Sequence, residues 1–152
     1  MEQLLKEAKE LAEGGVKELI LVAQETTVYG QDIYGEKSLH RLLRELCEID
    51  GIQWIRLLYC YPEEIDANLI QVMKEEPKIC HYLDLPIQHA SDAILKKMGR
   101  RTSKAQLVDT IRTLREEIPD ITLRTTLITG FPGETEEQHQ ELVEFVDEME
   151  FD

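Results

Sequence analysis

The chain has 152 residues, 42% of them hydrophobic and 32% charged, which is the make-up of one folded domain with enough apolar side chains for a core. A net charge of −14 argues against a protein that coats nucleic acid, and no apolar run approaches the roughly 18 residues that a membrane span needs. Three widely spaced cysteines, Cys47, Cys60 and Cys80, exclude a disulfide framework, a zinc ribbon or a redox pair, and with no basic-then-apolar leader the expected compartment is the cytoplasm.

Leu4, Leu5, Ala8, Leu11 and Ala12 recur at helical spacing and predict a first helix that stops at Gly14-Gly15. The unbroken apolar run Leu19–Ala23 predicts a strand buried on both faces. A polar, turn-prone segment runs from Gln24 to Gly35. Ser38 is placed to cap a helix with Leu39, Leu42, Leu43 and Leu46 on its inner face. Ile52–Leu58 reads as a second strand, and Asp66 caps a helix bearing Leu69, Ile70 and Met73. Ile79–Leu85 reads as a third strand, broken by Pro86. Ser91 opens a short helix through Met98, and Ser103 with Gln106 forms a capping box for a longer one. Ile121–Ile128 is the fourth strand. Thr135 and Gln138 form a second capping box, and Leu142, Val143, Phe145, Val146 and Met149 make the inner stripe of the last helix.

No repeat or flexible linker divides the chain, so residues 1–152 read as one domain. Strands alternating with helices imply a parallel sheet with right-handed crossovers. A helix before the first strand, and a stop just after the last helix, predict an α/β barrel that continues at both ends: about four parallel strands with flanking helices. Cut edges of such a barrel are expected to favour self-association.

In parallel α/β folds chemistry gathers where strands end. Here the strand ends carry Gln24-Glu25-Thr26-Thr27, Tyr59-Cys60-Tyr61-Pro62, Pro86-Ile87-Gln88-His89-Ala90-Ser91-Asp92 and Thr129-Gly130-Phe131-Pro132-Gly133-Glu134, whereas the opposite ends are plain. His89 is the best single titratable candidate, with a structural histidine as the competing reading. His40, His81 and His139 have no metal-like partners in spacing. The Gly130–Gly133 turn reads either as a tight strand-to-helix connection or as backbone laid against a flat ligand. Lys96, Lys97, Arg100, Arg101 and Lys104 read either as a solvated turn or as a pocket for an anionic group, and residues 134–152 carry acids with no Lys or Arg.

The strand-end segments Ala23–Asp32, Ile55–Pro62, Tyr82–Asp92 and Leu123–Thr135, with Lys96–Arg101 between the last two, resemble those of radical SAM methylthiotransferases, in the same order and over nearly the whole chain. One branch of that family modifies a tRNA adenosine; the other modifies an aspartate of a small-subunit ribosomal protein. Thr26-Thr27-Val28-Tyr29-Gly30, Tyr59-Cys60-Tyr61-Pro62 and Gln88-His89-Ala90-Ser91 are similar to the ribosomal-protein branch. Glu25 departs from the Asp common there and keeps the carboxylate.

The resemblance implies a partial (β/α)₆ radical SAM barrel. It also implies that the first strand with its Cys-x₃-Cys-x₂-Cys loop, an N-terminal cluster domain and a C-terminal OB-like domain lie outside residues 1–152. The implied cofactors are S-adenosylmethionine and a four-iron four-sulfur cluster whose ligands this chain lacks; the segment alone is expected to be inactive, with no metal ligands of its own. The implied reaction is hydrogen removal from the aspartate β-carbon, followed by sulfur insertion and methylation. The implied partner is the small-subunit ribosomal protein, with ribosome contact through a domain outside residues 1–152 and no membrane. Gln24, Glu25 and Thr26 would meet the aminopropyl group, Arg100 or Arg124 the carboxylate, and Ile128, Gly130, Phe131, Pro132 and Gly133 the adenine edge. Gln88 and His89 would face the reaction centre. A tRNA adenosine methylthiotransferase and a non-catalytic ligand-binding α/β barrel module stand as the alternatives.

Overall fold

A computed structural model describes residues 1–152. Helix α1 (Glu2–Glu13) leads into strand β1 (Glu18–Leu21), then a short helix α2 (Gln31–Tyr34) and helix α3 (Leu39–Cys47). Strand β2 (Trp54–Leu57) ends near a 3₁₀ turn at Pro62–Glu64 and is followed by α4 (Ala67–Glu75). Strand β3 (Ile79–Gln88), helices α5 (Asp92–Lys97) and α6 (Lys104–Glu117), strand β4 (Thr122–Leu127) and helix α7 (Glu136–Met149) complete the chain. The strands form one parallel sheet in sequence order, β1-β2-β3-β4, as the strand–helix alternation predicts.

Local chemistry explains where the helices begin. Asp66 accepts the Leu69 N–H at 2.9 Å and opens α4. Ser103 and Gln106 exchange hydrogen bonds across the first turn of α6, and Thr135 and Gln138 do the same for α7; each pair satisfies two amide donors that a helix start otherwise leaves free. Ser38 and Ser91 stand at the starts of α3 and α5, but neither side chain makes a capping bond. The Ser38 hydroxyl instead donates to the Glu36 carbonyl at 3.2 Å.

Two expectations for the strands are corrected. Strand β1 is not buried on both faces: Leu19 is buried, but Ile20 and Val22 are 52% and 59% exposed, because β1 is an edge strand and the helices pack against one side of the sheet only. Strand β3 does not break at Pro86; it runs on to Gln88. Proline has no N–H to give to the ladder, and the pairing with β4 shifts between Leu85 and Gln88. The Thr125 hydroxyl bridges that gap. It donates to the Leu85 carbonyl at 2.8 Å and lies 3.5 Å from the Ile87 N–H.

The core lies between the helices and one face of the sheet. Leu43, Leu46, Ile55, Leu57, Met73, Leu83, Leu85, Leu107, Leu123 and Phe145 are all buried there. The opposite face is uncovered; Ile20 and Val22 lie exposed at its β1 edge, and the strands beyond carry polar side chains. Glu18 and Arg56 pair at 2.7 Å, Arg56 lies over the Tyr82 ring, and Asp84 pairs with Arg124 at 3.3 Å. Parallel sheets are ordinarily covered on both faces; here charged and aromatic side chains line the uncovered one.

Candidate functional site

Two residues other than glycine adopt left-handed backbone at strand ends, Tyr59 (φ 56°) just after β2 and Gln88 (φ 71°) at the end of β3. Such conformations cost on the order of 1–3 kcal/mol and cluster at functional sites. Both residues line one pocket of ≈ 360 Å³ at the C-terminal end of the sheet, together with Gln24, Tyr61, Asp84 and Arg124. A separate groove between α1, β1 and α3 is almost wholly apolar and holds no converging polar groups; it belongs to the uncovered edge of β1.

The pocket's charge is set by one cross-strand pair. The Asp84 side chain is 4% exposed and the Arg124 side chain 58% exposed. Arg124 spends one nitrogen on Asp84, and the Tyr59 N–H approaches the other Asp84 oxygen at 3.4 Å. The guanidinium is thus anchored from below and keeps donors for a ligand above it, the arrangement that suits a carboxylate.

Of the three consecutive residues expected at the aminopropyl group, Gln24 alone turns an unengaged side chain to the pocket. Thr26 donates its hydroxyl to the Leu58 carbonyl at 2.6 Å. Glu25 accepts the Tyr61 N–H at 3.1 Å and the Thr27 N–H at 3.0 Å, and also the Thr27 hydroxyl. Burial pushes its carboxyl above the usual range, against the pull of these hydrogen bonds. Glu25 and Thr26 therefore fasten the loop after β1 to the loop after β2.

Arg100 is not part of a solvated turn. Its side chain is 9% exposed, pairs with Glu63 at 3.0 Å and stacks on the Tyr61 ring at 4.2 Å. It does not line the pocket that holds Arg124. Of the two arginines expected at the cofactor carboxylate, Arg124 lines the pocket and Arg100 does not. Gln88 lines the pocket, whereas the His89 ring, expected beside it at the reaction centre, is fully buried behind it. The backbone of Ile128–Gly133 leaves β4 along the exposed rim, joined to Gln88 by the Ile128 N–H at 2.8 Å from its carbonyl. Gly130 and Gly133 both have positive φ (72° and 80°). A Cβ at Gly133 would lie 2.9 Å from Lys97 Nζ, and Lys97 donates to the Gly133 carbonyl at 2.9 Å.

Asp84 and Glu134 stand in the strand-end segments that the sequence marks, but the sequence assigns neither of them a role. Asp84 interrupts an apolar run in β3, and that interruption was the available signal. Glu134 follows the glycine turn and reads from sequence as one of many acids in the last helix region.

An iron–sulfur cluster needs thiolates close together. Cys47 and Cys60 are buried and Cys80 is half-buried. Burial pushes the Cys47 thiol up to about 11 and holds those of Cys60 and Cys80 above the usual thiol range. No three His, Cys, Asp or Glu side chains are grouped to hold a metal ion. The cysteines of this chain do not fit such a cluster. The donor set of the pocket does fit S-adenosylmethionine: an anchored guanidinium and the free amides of Gln24 and Gln88.

A parallel α/β sheet with its pocket at the strand C-termini and charged side chains on its open face is the class of fold that binds cofactors and substrates at that end. The chain belongs to the radical SAM superfamily, whose family model matches residues 1–146. It is 70% identical over all 152 residues to the ribosomal protein uS12 methylthiotransferase RimO of Lachnoclostridium phytofermentans, covering 34% of that protein. It is 58% identical over 151 residues to the protein of the same name from Clostridium botulinum strain Langeland, covering 99% of this chain and 34% of the relative. The chain thus spans about a third of the length of these relatives. Among solved structures, the radical S-adenosylmethionine methyltransferase TsrM of Kitasatospora setae superposes with a TM-score of 0.71 at 20% identity, over 97% of this chain and 28% of that one. The cobalamin-dependent radical enzyme OxsB superposes with a TM-score of 0.71 at 14% identity, over 95% and 22%. These last two likenesses concern the fold. No helix is long and apolar enough to cross a membrane.

Proposed function

We propose that this chain forms the cofactor- and substrate-facing part of a radical SAM methylthiotransferase that modifies an aspartate β-carbon of ribosomal protein uS12, in the cytoplasm. The observation that carries the reading is the pocket at the ends of β1–β4, lined by Gln24, Gln88 and the Asp84-anchored Arg124, in a chain 70% identical throughout to a uS12 methylthiotransferase.

When bound, and given one electron by the implied iron–sulfur cluster held outside this chain, S-adenosylmethionine would supply the radical chemistry that activates an unreactive C–H bond. The residues of this chain bind and orient. Arg124 offers its free N–H donors to a carboxylate, and Asp84 fixes the direction of those donors. Gln24 provides a neutral amide beside it. The Ile128–Gly133 edge, including Phe131 and Pro132, offers backbone groups to the adenine. Gln88, strained at a positive φ, presents its amide where cofactor and substrate would meet. Glu25 and Thr26 hold the first two loops together beneath them. The exposed edge of β1, with Ile20 and Val22 uncovered, supports self-association when no further strand covers it.

The test uses the full-length protein that carries this segment, reconstituted anaerobically with iron and sulfide. Binding of S-adenosylmethionine is measured by calorimetry, and mass gain is measured on uS12 and on tRNA. A methylthio group on uS12 is the expected result. Modification of tRNA alone would assign the chain to the adenosine-modifying branch. Ligand binding with no modification of either would reduce the chain to a binding module.

A further inference from the structure

The His89 and Glu134 side chains are 0% and 5% exposed, and each carries a buried polar atom with no hydrogen-bond partner, His89 Nε2 and Glu134 Oε1. Those two atoms face each other at 3.4 Å. The other atom of each side chain is engaged. His89 Nδ1 lies 2.9 Å from the Ser91 N–H and must accept it, which leaves the ring's proton on Nε2, directed at Glu134. Glu134 Oε2 accepts the Phe131 N–H at 2.8 Å. The result is a continuous link: Ser91 N–H to His89, His89 to Glu134, and Phe131 N–H to Glu134. It ties the segment after β3 to the turn after β4 and is sealed from solvent. His139 Nδ1 approaches the same Glu134 oxygen at 3.3 Å from the more open side.

We infer that His89 and Glu134 are positioning residues, which hold the Ile128–Gly133 backbone edge in the shape that receives the adenine of S-adenosylmethionine. The identity of that ligand rests on the function proposed above; the joint itself rests on geometry. Two features support a role in shape rather than proton transfer. The imidazole has no exposed face to offer a substrate, and both of its nitrogens are committed to the joint. The turn that it anchors needs an anchor, because Gly130 and Gly133 have no side chains to pack and Gly130 has open space around it. Lys97 holds the far end of the same turn from outside, through the Gly133 carbonyl.

The experiment again uses the full-length protein and reads two quantities, amide exchange at Phe131 and affinity for S-adenosylmethionine by calorimetry. In the unaltered protein the Phe131 amide is expected to be protected from exchange. Glu134→Ala and His89→Ala are expected to speed its exchange and to weaken binding about tenfold, the loss expected when a hydrogen bond to a charged group no longer preorganises a site. Glu134→Gln keeps one oxygen for the Phe131 N–H but turns its NH2 donor on the His89 Nε2–H, and is expected to restore the Phe131 protection more fully than the affinity. A Phe131 amide that exchanges freely in the unaltered protein overturns the joint without any variant. Alanine variants that bind with unchanged affinity overturn the positioning role. An unaltered protein that protects Phe131 yet does not bind S-adenosylmethionine overturns the proposed function, not the joint.

Discussion

Arg124 Nη1 lies 3.3 Å from Asp84 Oδ1 across the β3–β4 pair, and the two residues are direct register partners. The pair is lopsided, with the carboxylate nearly buried and most of the guanidinium in the pocket. A carboxylate in that position needs its partner more than the partner needs it. The arrangement therefore aims the arginine and leaves it available.

Removing either partner should have different consequences. Arg124→Ala leaves Asp84 with only the distant Tyr59 N–H, and is expected to cost about 1–3 kcal/mol of stability. In the full-length protein it should also weaken S-adenosylmethionine binding about tenfold or more. Asp84→Asn is expected to cost less stability but to weaken binding too, because the guanidinium loses its fixed direction. Urea unfolding and calorimetry on both variants check this. Arg124→Lys should fail to restore affinity, since an ammonium lacks the planar fork.

The two adjacent arginines in the turn after α5 should behave differently. Arg100 is buried against Glu63 and Tyr61, whereas Arg101 is exposed. Arg100→Ala strands the Glu63 carboxylate and is expected to destabilise by about 3 kcal/mol. Arg101→Ala is expected to stay within about 0.5 kcal/mol of the unaltered protein. Denaturant midpoints for the two variants, compared side by side, decide it. Equal small effects would return Arg100 to the surface.

The three thiols should be slow to react in the folded protein. With the Cys47 thiol pushed up to about 11 by burial, its thiolate fraction at pH 8 is on the order of one in a thousand. Cys60 and Cys80 are shifted the same way. A disulfide reagent at pH 8 is expected to modify none of them rapidly, and all three at once after unfolding in guanidinium. A fast-reacting thiol in the native state would contradict the packing.

Acid should weaken the turn after β4. The Phe131 N–H, foremost, holds the Glu134 carboxyl below its usual 4.5, with His89 and His139 adding to the effect and burial opposing it. A carboxyl lowered in the folded state contributes stability that is present above pH 4.5 and lost as pH falls through the folded value. Glu134→Gln is therefore expected to be less stable than the unaltered protein at pH 7, with the difference shrinking as pH drops below about 4. Urea unfolding of both proteins at the two pH values gives the sign directly.

Much of this architecture was legible in the chain itself. Apolar runs of strand length alternating with helix-period stripes specify a parallel sheet, and the boxes at Ser103-Gln106 and Thr135-Gln138 mark helix starts through bonds between residues three apart. The chemistry-rich strand ends were legible too, because polar and glycine residues gather there and not at the opposite ends. What the tertiary structure alone decided is which side chains are free. Glu25, Thr26, His89 and Arg100 are the right residue types in the right loops, yet each is spent on a partner from another segment: Tyr61, Leu58, Glu134 and Glu63. Gln24, Gln88 and Arg124 remain turned to the pocket. Local pattern encodes burial within one element, since it depends on the period of that element alone. The pairing of a charge depends on strand register and on how two loops approach each other, and neither is written in the residues on one side of the contact.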